Sequence, residues 1–368
     1  MCMADLDSAH MQRALELAKR AWGQTHPNPM VGALIVEAGA VVAEGWHTAA
    51  GEAHAEIEAF RALGRKPLEG AILYVTLEPC STSGRTGACT DAILASGVRK
   101  VVVGAVDPNP NHAGKGLEIL RAAGIEVVEG VCAEACRDLN LIFNHWIVKN
   151  RPLLAMKIAL TLDGKFAAGS GHSRWVTGES ARSDVMRWRR YFPAIAVGAD
   201  TALADDPQLT SRINDNEWCP QRFVLDRQLR TAGADLRLFT DTYADLTTVV
   251  CGESADVELE ATLNEKGVSV WRISEQKEHL DWTEFSMRLA DESVYGLYIE
   301  AGPRLSSALV ESELADYAFV YRAPKFMSDS AAVGMGSQRE THSMEQAFEL
   351  KAVVHAHFGA DSLTRGWL

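Results

Sequence analysis

His54-Ala55-Glu56 and, further along, Pro79-Cys80 followed after eight residues by Cys89 are residue types that bind metal and carry protons. One imidazole nitrogen and two thiolates suit Zn²⁺, and three protein ligands leave a fourth position open to water, as in catalytic zinc sites. Zinc lowers the pKa of such a water to ~7. A glutamate that is not needed as a ligand can move protons between that water and a departing amine. The chemistry implied is hydrolytic attack on an amidine-like ring carbon. A His-x-Glu alone says little; joined to Pro-Cys and a second Cys it points to a metal centre. No fourth Cys or His stands nearby in sequence to close a structural site.

The elements around these residues must aim them at one point. Ala53 to Leu63 reads as a helix closed by Gly64, which puts His54 and Glu56 in its first turn. At ~100° per residue, positions two apart point to nearly opposite sides, so both cannot simply chelate one ion. At a helix start, one can hold metal while the other reaches the water. Ile72 to Leu77 is an apolar strand that delivers Glu78-Pro79-Cys80 at its C-terminal end, where open α/β sheets place their chemistry. Thr90 to Ser96 is a short helix ended by Gly97, and its N-terminal dipole favours a Cys89 thiolate.

Before them, Met11, Ala14, Leu15, Ala18 and Trp22 recur at helical spacing, with Asp7 or Ser8 as N-cap. Strands are expected at Val31 to Val36 and through Val41-Val42, around a turn near Gly39. His47 is either an ordinary loop histidine or a residue behind the metal or at the substrate. Lys100 to Val106, Leu117 to Ala123 and Glu126 to Glu129 continue a strand–helix–strand alternation. That alternation predicts a mainly parallel sheet with helices on both faces. Cys132 and Cys136 stand four apart on the next helix, where packing is the simpler reading.

A chain of 368 residues exceeds one comfortable core, so two domains are expected, 1–147 and 148–368. The net charge of −13 argues against an electrostatic grip on nucleic acid. Seven scattered cysteines form no disulfide framework, no apolar leader opens the chain, and no apolar run could span a membrane. Cytoplasm is the expected compartment. In the second half, strands are expected at Leu153 to Leu160, Ala194 to Val197, Phe223 to Asp226, Leu246 to Cys251 and Val268 to Ile273, with a loop over Gly198 to Arg212. Gly296 to Glu300 then runs into Ala301-Gly302-Pro303 and a helix from Leu305 to Ser312, and the tail holds strands at Tyr317 to Tyr321 and Val353 to Phe358. The Gly302 turn is either an ordinary strand-to-helix turn or a phosphate site made by free N–H groups at a helix start.

Taken together, His26-Pro27-Asn28-Pro29-x-Val31-Gly32, Gly45-Trp46-His47, His54-Ala55-Glu56, Thr76-Leu77-Glu78-Pro79-Cys80-Ser81, Gly84-Arg85-Thr86, Cys89 and Asp107-Pro108-Asn109-Pro110 resemble the deaminase half of the bifunctional riboflavin-biosynthesis deaminase–reductases. Lys157-Ile158-Ala159, Leu162-Asp163-Gly164, Ser173 to Thr177, Arg189, Gly198 to Thr201, Asp205 to Arg212 and Glu300 to Pro303 resemble the reductase half, in family order. The resemblance implies a cytidine-deaminase-like α/β/α domain followed by a dihydrofolate-reductase-like α/β domain. It also implies Zn²⁺ and NADPH as cofactors and a small phosphoribosylaminopyrimidine as substrate, deaminated first and then reduced from ribosyl to ribityl. By position, His54, Cys80 and Cys89 would ligate zinc, Glu56 would shuttle protons, and Asn28, His47 and Arg85 would hold the deaminase substrate. Ala159, Trp175, Thr201, Asp205 and the run Gly302, Pro303, Arg304, Leu305, Ser306, Ser307 and Ala308 would face NADPH. Ser173, Arg189, Leu209, Arg212 and Glu300 would face the reductase substrate, and Arg227 is a candidate for the cofactor's 2′-phosphate. No proton donor for the reduction stands out. Family members associate, so a homo-oligomer is expected.

The chain departs from the family pattern at Thr82 (usually His), Gly87-Ala88 (usually Pro-Pro), Thr161 (usually Ser) and Pro193 (usually acidic). Three other readings compete, one of them a reductase with a decayed deaminase half, suggested by Thr82. A zinc nucleoside or tRNA deaminase with an appended binding domain would show a basic groove, which the net charge disfavours. A non-catalytic zinc module would have no use for Glu56.

Overall fold

The computed structural model describes residues 3–82, 87–214, 216–276, 279–336 and 339–368. The chain divides into two compact units, Met1–Asn150 and Arg151–Leu368.

The first unit runs α1 (Met3–Ala18), β1 (Gly32–Glu37), β2 (Ala40–Trp46), α2 (Ala55–Leu63), β3 (Ile72–Leu77) and α3 (Cys89–Ser96). It continues with β4 (Lys100–Ala105), α4 (Lys115–Ala122), β5 (Glu126–Glu129), α5 (Ala133–Leu139) and α6 (Leu141–Lys149). Asp7 and Ser8, expected as caps, lie inside α1, and Asp7 instead accepts the Tyr74 hydroxyl at 2.6 Å. The sheet order is β2-β1-β3-β4-β5. β3, β4 and β5 are parallel, but β1 pairs antiparallel with both of its neighbours, so the sheet is mixed rather than mainly parallel. The reason is local. A turn at Ala38 and Gly39, both at positive φ, folds β2 back on β1. The β2–α2–β3 crossover then carries β3 past β1, so two strands of like direction flank one of opposite direction. Alternating apolar residues of β1, β3 and β4 pack on Ile93, Leu117 and Leu120 from α3 and α4. α1 and α5 lie against the sheet on the other side, completing three layers. Cys136 is buried in α5 and Cys132 precedes that helix; neither joins a metal cluster among the described residues.

The second unit begins β6 (Leu153–Thr161), α7 (Glu179–Tyr191), β7 (Ala194–Gly198), α8 (Ala199–Asp205), β8 (Ser211–Ile213), β9 (Asn216–Trp218) and β10 (Gln221–Leu225). Then come α9 (Arg237–Thr240), β11 (Thr247–Gly252), α10 (Val257–Glu265), β12 (Ser269–Ile273), β13 (Glu275–Gln276), β14 (His279–Leu280) and α11 (Trp282–Asp291). β15 (Gly296–Glu300), α12 (Pro303–Glu311), β16 (Tyr317–Ala323), β17 (Lys351–Phe358) and β18 (Asp361–Trp367) complete it. Nine strands form one sheet in the order β12-β11-β10-β7-β15-β6-β16-β18-β17, in which β18 alone runs opposite to the rest and pairs antiparallel with β16 and β17. The expected loop over Gly198 to Arg212 contains α8 and part of β8, and periodicity leaves α7 unassigned because charged residues interrupt its apolar stripe. Strand and helix ends meet at one edge of the parallel strands, which is where the expected reductase residues gather.

Candidate active sites

In the first unit three elements converge. His54 is the N-cap of α2 rather than part of its first turn, with φ −73° and ψ 160°. That extended backbone swings the imidazole off the helix axis, which removes the geometric conflict with Glu56, two residues on. Cys80 follows β3, and Cys89 opens α3, whose first residues fold back on Cys80: the Cys89 N–H donates to Cys80 Sγ at 3.4 Å and the Thr90 N–H to the Cys80 carbonyl at 3.2 Å. His54 Nδ1 lies 3.2 Å from Cys89 Sγ and 3.5 Å from Cys80 Sγ, and the three ligand atoms fall within 4.8 Å of one another. One nitrogen and two sulfurs converging this tightly fit zinc, which wants that donor set in tetrahedral array.

Glu56 is buried beside them, hydrogen-bonded to the Cys89 thiol, and burial pushes its carboxyl up to about 7. Hydrogen bonds from Cys89 and His54 draw the Cys80 thiol down to about 4, while Cys89, donating to Cys80 and buried, is pushed up. One proton shared by two sulfurs is the physical sense of that pair.

His47 is buried, accepts or donates at both ring nitrogens, and is not an idle loop residue. Its Nδ1 lies 3.0 Å from the Ala53 carbonyl, next to His54, and its Nε2 lies 3.2 Å from Asn28 Nδ2. The carbonyl requires Nδ1–H, so Nε2 accepts from the Asn28 amide and leaves the Asn28 oxygen for another partner. Burial pushes the His47 pKa down, in keeping with a neutral ring. The third expected substrate residue, Arg85, lies outside the described residues. Thr82, just before, is exposed, and so is Gly87, whose added Cβ would have no neighbour within 4 Å among the described residues. Sequence reasoning named Glu78 only within a motif. Its buried carboxylate accepts the N–H groups of Asp107 (3.1 Å), Gly114 (2.9 Å) and Gly116 (2.9 Å), pinning the Asp107-Pro108-Asn109-Pro110 loop next to Cys80.

In the second unit Glu300 ends β15 directly opposite Lys157 of β6. Arg189, from α7, donates to Glu300 at 2.6 Å and to the Thr210 carbonyl at 2.9 Å. Lys157 Nζ is 3.9 Å from Glu300 on the carboxylate's other oxygen. Burial alone would push Glu300 up, but Arg189 and Lys157 bring it down to about 2; burial also pushes the Lys157 ammonium down against the pull of Glu300. Arg212 is exposed and bonds Thr210 Oγ1 at 2.6 Å, and Leu209 is buried at φ 57°, so Arg189, Leu209, Arg212 and Glu300 form one cluster. Arg189 and Glu300 are therefore engaged with each other. Lys157, which sequence reasoning quoted only as part of a motif, stands in the same cluster, and its two-residue spacing from Ala159 puts both on one face of β6.

Thr201 in α8 sits against the Gly302 turn, where an added Cβ would lie 2.9 Å from its hydroxyl oxygen. Gly302 is the N-cap of α12, has no side-chain cap, and is followed by Pro303 at the first helical position. Ser306 and Ser307 turn their hydroxyls back to the Pro303 carbonyl, both at 3.0 Å, and Gly302 gives the helix start no side-chain cap. A close-packed turn of this kind fits a pyrophosphate. Leu305 is half-buried and Arg304 exposed, while Ala308 lies one turn further along α12. Arg174 donates to the Asp205 carbonyl, which brings the Ser173–Trp175 loop to α8, and the exposed Trp175 ring stacks under the Arg182 guanidinium at 4.5 Å. The Thr161 hydroxyl donates to Asp163 at 2.6 Å and accepts from the Lys165 N–H at 2.9 Å. Pro193 lends its carbonyl to the Gln221 N–H at 3.1 Å; nothing in the structure explains why a proline stands there. Arg227 is paired with Glu275 at 3.2 Å. Among the described residues no helix is long and apolar enough to cross a membrane.

Residues 4–105 match the family model of the cytidine and deoxycytidylate deaminase zinc-binding region, and residues 152–363 match that of the RibD C-terminal domain. The riboflavin biosynthesis protein RibD of Actinobacillus pleuropneumoniae is 41% identical over 361 residues, covering 98% of this chain and 94% of the relative. That of Escherichia coli K12 is 38% identical over 362 residues, covering 96% and 97%. Among solved structures, the Thermotoga maritima diaminohydroxyphosphoribosylaminopyrimidine deaminase/5-amino-6-(5-phosphoribosylamino)uracil reductase superposes with a TM-score of 0.80 at 32% identity, covering 99% of each chain. Acinetobacter baumannii RibD, form 1, superposes with a TM-score of 0.78 at 35% identity, again over 99% of each chain.

Proposed function

Because this chain belongs to the RibD family of bifunctional riboflavin-biosynthesis enzymes, with both domains present, we propose residue roles for its two reactions, a zinc-dependent deamination and an NADPH-dependent reduction. Its substrate is 2,5-diamino-6-(5-phosphoribosylamino)pyrimidin-4-one, and the reduction then converts the ribosyl group of the deaminated product to ribityl. The observation that carries the first reaction is the convergence of His54, Cys80 and Cys89 on one point with a buried Glu56 beside them.

His54, Cys80 and Cys89 hold the metal. Zinc, when bound, supplies a water nucleophile at neutral pH. Glu56, buried beside the three ligands, would take a proton from the water that attacks the amino-bearing ring carbon. It returns the proton to the amine as the carbon–nitrogen bond breaks and ammonia leaves. Its burial suits a carboxyl that must both accept and give a proton. Asn28, oriented by neutral His47, and Arg85 hold the substrate.

In the second unit NADPH supplies the hydride. Ala159, Trp175, Thr201, Asp205 and the Gly302 to Ala308 turn hold it, while Arg212, with an exposed guanidinium, and Ser173 take the substrate phosphate. As C1′ is reduced and its bond to the ring oxygen opens, that oxygen needs a proton, and the Lys157 ammonium supplies it. Glu300, held by Arg189, favours the charged form of Lys157 and keeps it in place, and Arg189 and Leu209 shape the substrate loop. The chain does this on a small molecule; the cytoplasm, a homo-oligomeric state and the lack of a nucleic-acid partner belong to the same reading, and the net charge of −13 supports the last. A zinc deaminase with a mere binding appendage is not favoured, since the reductase model matches residues 152–363.

The test is Glu56→Gln, assayed for ammonia release, zinc content and NADPH oxidation. We expect full zinc occupancy, a loss of ~10²–10⁴ in deamination rate, and intact reduction of the deaminated substrate. Ammonia release within a few-fold of the parent protein would remove Glu56 from its role.

A further inference from the structure

The junction of α5 and α6 carries a polar side chain among apolar ones. Leu139, Leu141 and Ile142 are buried there, and so is Asn140, which is only 4% exposed. A buried amide without partners is costly, and this one finds partners for both of its polar atoms on a single residue far away in the chain. Asn140 Oδ1 accepts the Met30 N–H at 2.8 Å, and Asn140 Nδ2 donates to the Met30 carbonyl at 2.9 Å. Resting on the reading of the first unit as the deaminase, we propose that Asn140 is a positioning residue for deamination. It fixes the backbone that carries Asn28, and through Asn28 it sets the affinity for the pyrimidine substrate.

The loop itself calls for an anchor at this point. Met30 stands two residues ahead of β1, before the ladder pair of Gly32 with Trp46. The two bonds from Asn140 do for Met30 what a neighbouring strand does for the residues after it. From Met30 the constraint passes backward along a stiff path. Pro29 fixes its own φ and disfavours helical backbone at Asn28, so few soft torsions separate Met30 from the Asn28 side chain. Thr25 holds the other end of the segment. The Asn28 N–H donates to the Thr25 carbonyl at 2.8 Å, and the buried Thr25 hydroxyl donates to the Asn28 carbonyl at 2.9 Å.

The constraint also passes forward. Val31 follows Met30, and its carbonyl accepts the His47 N–H at 2.9 Å. The His47 ring in turn meets the Asn28 amide at 3.2 Å and the Ala53 carbonyl at 3.0 Å, one residue before the metal ligand His54. Asn28 and His47 are thus tied to each other and to the start of α2, and Asn140 is the buried clamp on the Asn28 side of that circuit. An aliphatic residue of similar size offers neither bond, and an ionised aspartate offers only the acceptor; a side-chain amide supplies donor and acceptor together.

The experiment is a double-mutant cycle on the zinc-loaded, full-length protein: parent, Asn140→Ala, Asn28→Ala and the double variant. For each, KM and kcat are measured for ammonia release from the diaminopyrimidine substrate, with zinc content and NADPH oxidation of the deaminated substrate measured on the same preparation. Asn140→Ala should raise KM about tenfold, the worth of one misplaced hydrogen bond. Its kcat, zinc content and NADPH oxidation should stay close to the parent's, the pattern of lost substrate binding. Asn28→Ala should raise KM at least as much. Adding Asn140→Ala to it should raise KM by no more than about threefold further, because the group that Asn140 places is gone. Asn140→Asp keeps the acceptor for the Met30 N–H and loses the donor, so it runs the same cycle if the alanine variant fails to fold. Effects that multiply in the double variant, or a KM within about twofold of the parent in the single one, overturn the inference and leave the deaminase reading standing. A parent protein that binds zinc and releases no ammonia refutes the deaminase reading and this inference with it.

Discussion

Gly45 of β2 offers a way to displace the metal centre without touching it. An added Cβ there would lie 2.3 Å from the Ala55 carbonyl oxygen, 2.3 Å from the Ala59 nitrogen and 2.9 Å from the Ala59 Cα. All three are backbone atoms of α2, so no rotamer change can relieve the clash. Ordinary contact begins near 3.3–3.5 Å, so in Gly45→Ala the helix start must retreat by about 1 Å. That start carries His54 and Glu56, whereas Cys80 and Cys89 sit on β3 and α3. The shift therefore opens the distance between one ligand and the other two. Overpacking of this kind costs about 1–3 kcal/mol of stability, and a misplacement of about 1 Å costs roughly 10²-fold in rate. We expect kcat/KM for ammonia release to fall roughly 10²-fold, with zinc held more weakly, while NADPH oxidation on deaminated substrate is unchanged. Paired ammonia and absorbance assays on one preparation read both. A Gly45→Ala protein whose deamination stays within about threefold of the parent would mean that α2 can slide without moving the site.

Two further outcomes follow from the remaining geometry. Removing zinc with a chelator should abolish ammonia release and leave NADPH oxidation of the deaminated substrate intact, because the ligands all lie in the first unit; loss of both activities would contradict it. Glu300→Gln leaves Arg189 and Lys157 buried without their countercharge, and breaking such a pair costs about 3–5 kcal/mol. NADPH oxidation should disappear and the urea midpoint of the second unit should drop, while ammonia release persists; an unchanged midpoint would refute the buried-charge argument.

What sequence could and could not supply divides along one physical line. The metal centre was legible because ligand chemistry is written in residue type, and because Gly64 and Gly97, both at positive φ, mark the ends of the helices that present it. Strand β3 was legible for the same local reason, an apolar run stopped by Glu78-Pro79. The antiparallel β1 was not, since a strand's partners are chosen by the rest of the sheet and the β2–α2–β3 pattern is blind to what lies between its two strands. α7 was hidden by its own buried charges: Arg189 and Asp184 are charged residues on the buried face, held there by Glu300 and Tyr321 from distant strands.

The same limit explains the two site residues that were read differently from sequence. His54 was expected within the first turn of α2, pointing to a different side from Glu56 yet able to hold metal while Glu56 reaches the water. Moving it one position outward, to an extended N-cap, is a change of a single ψ angle, below what periodicity resolves. Arg227 looked available because it follows a strand at the edge where cofactors bind. Its fate is decided by Glu275, a partner far away in the chain that only the folded sheet brings near. Residue type says which side chains could hold a phosphate; which of them is left to do so depends on where the carboxylates go.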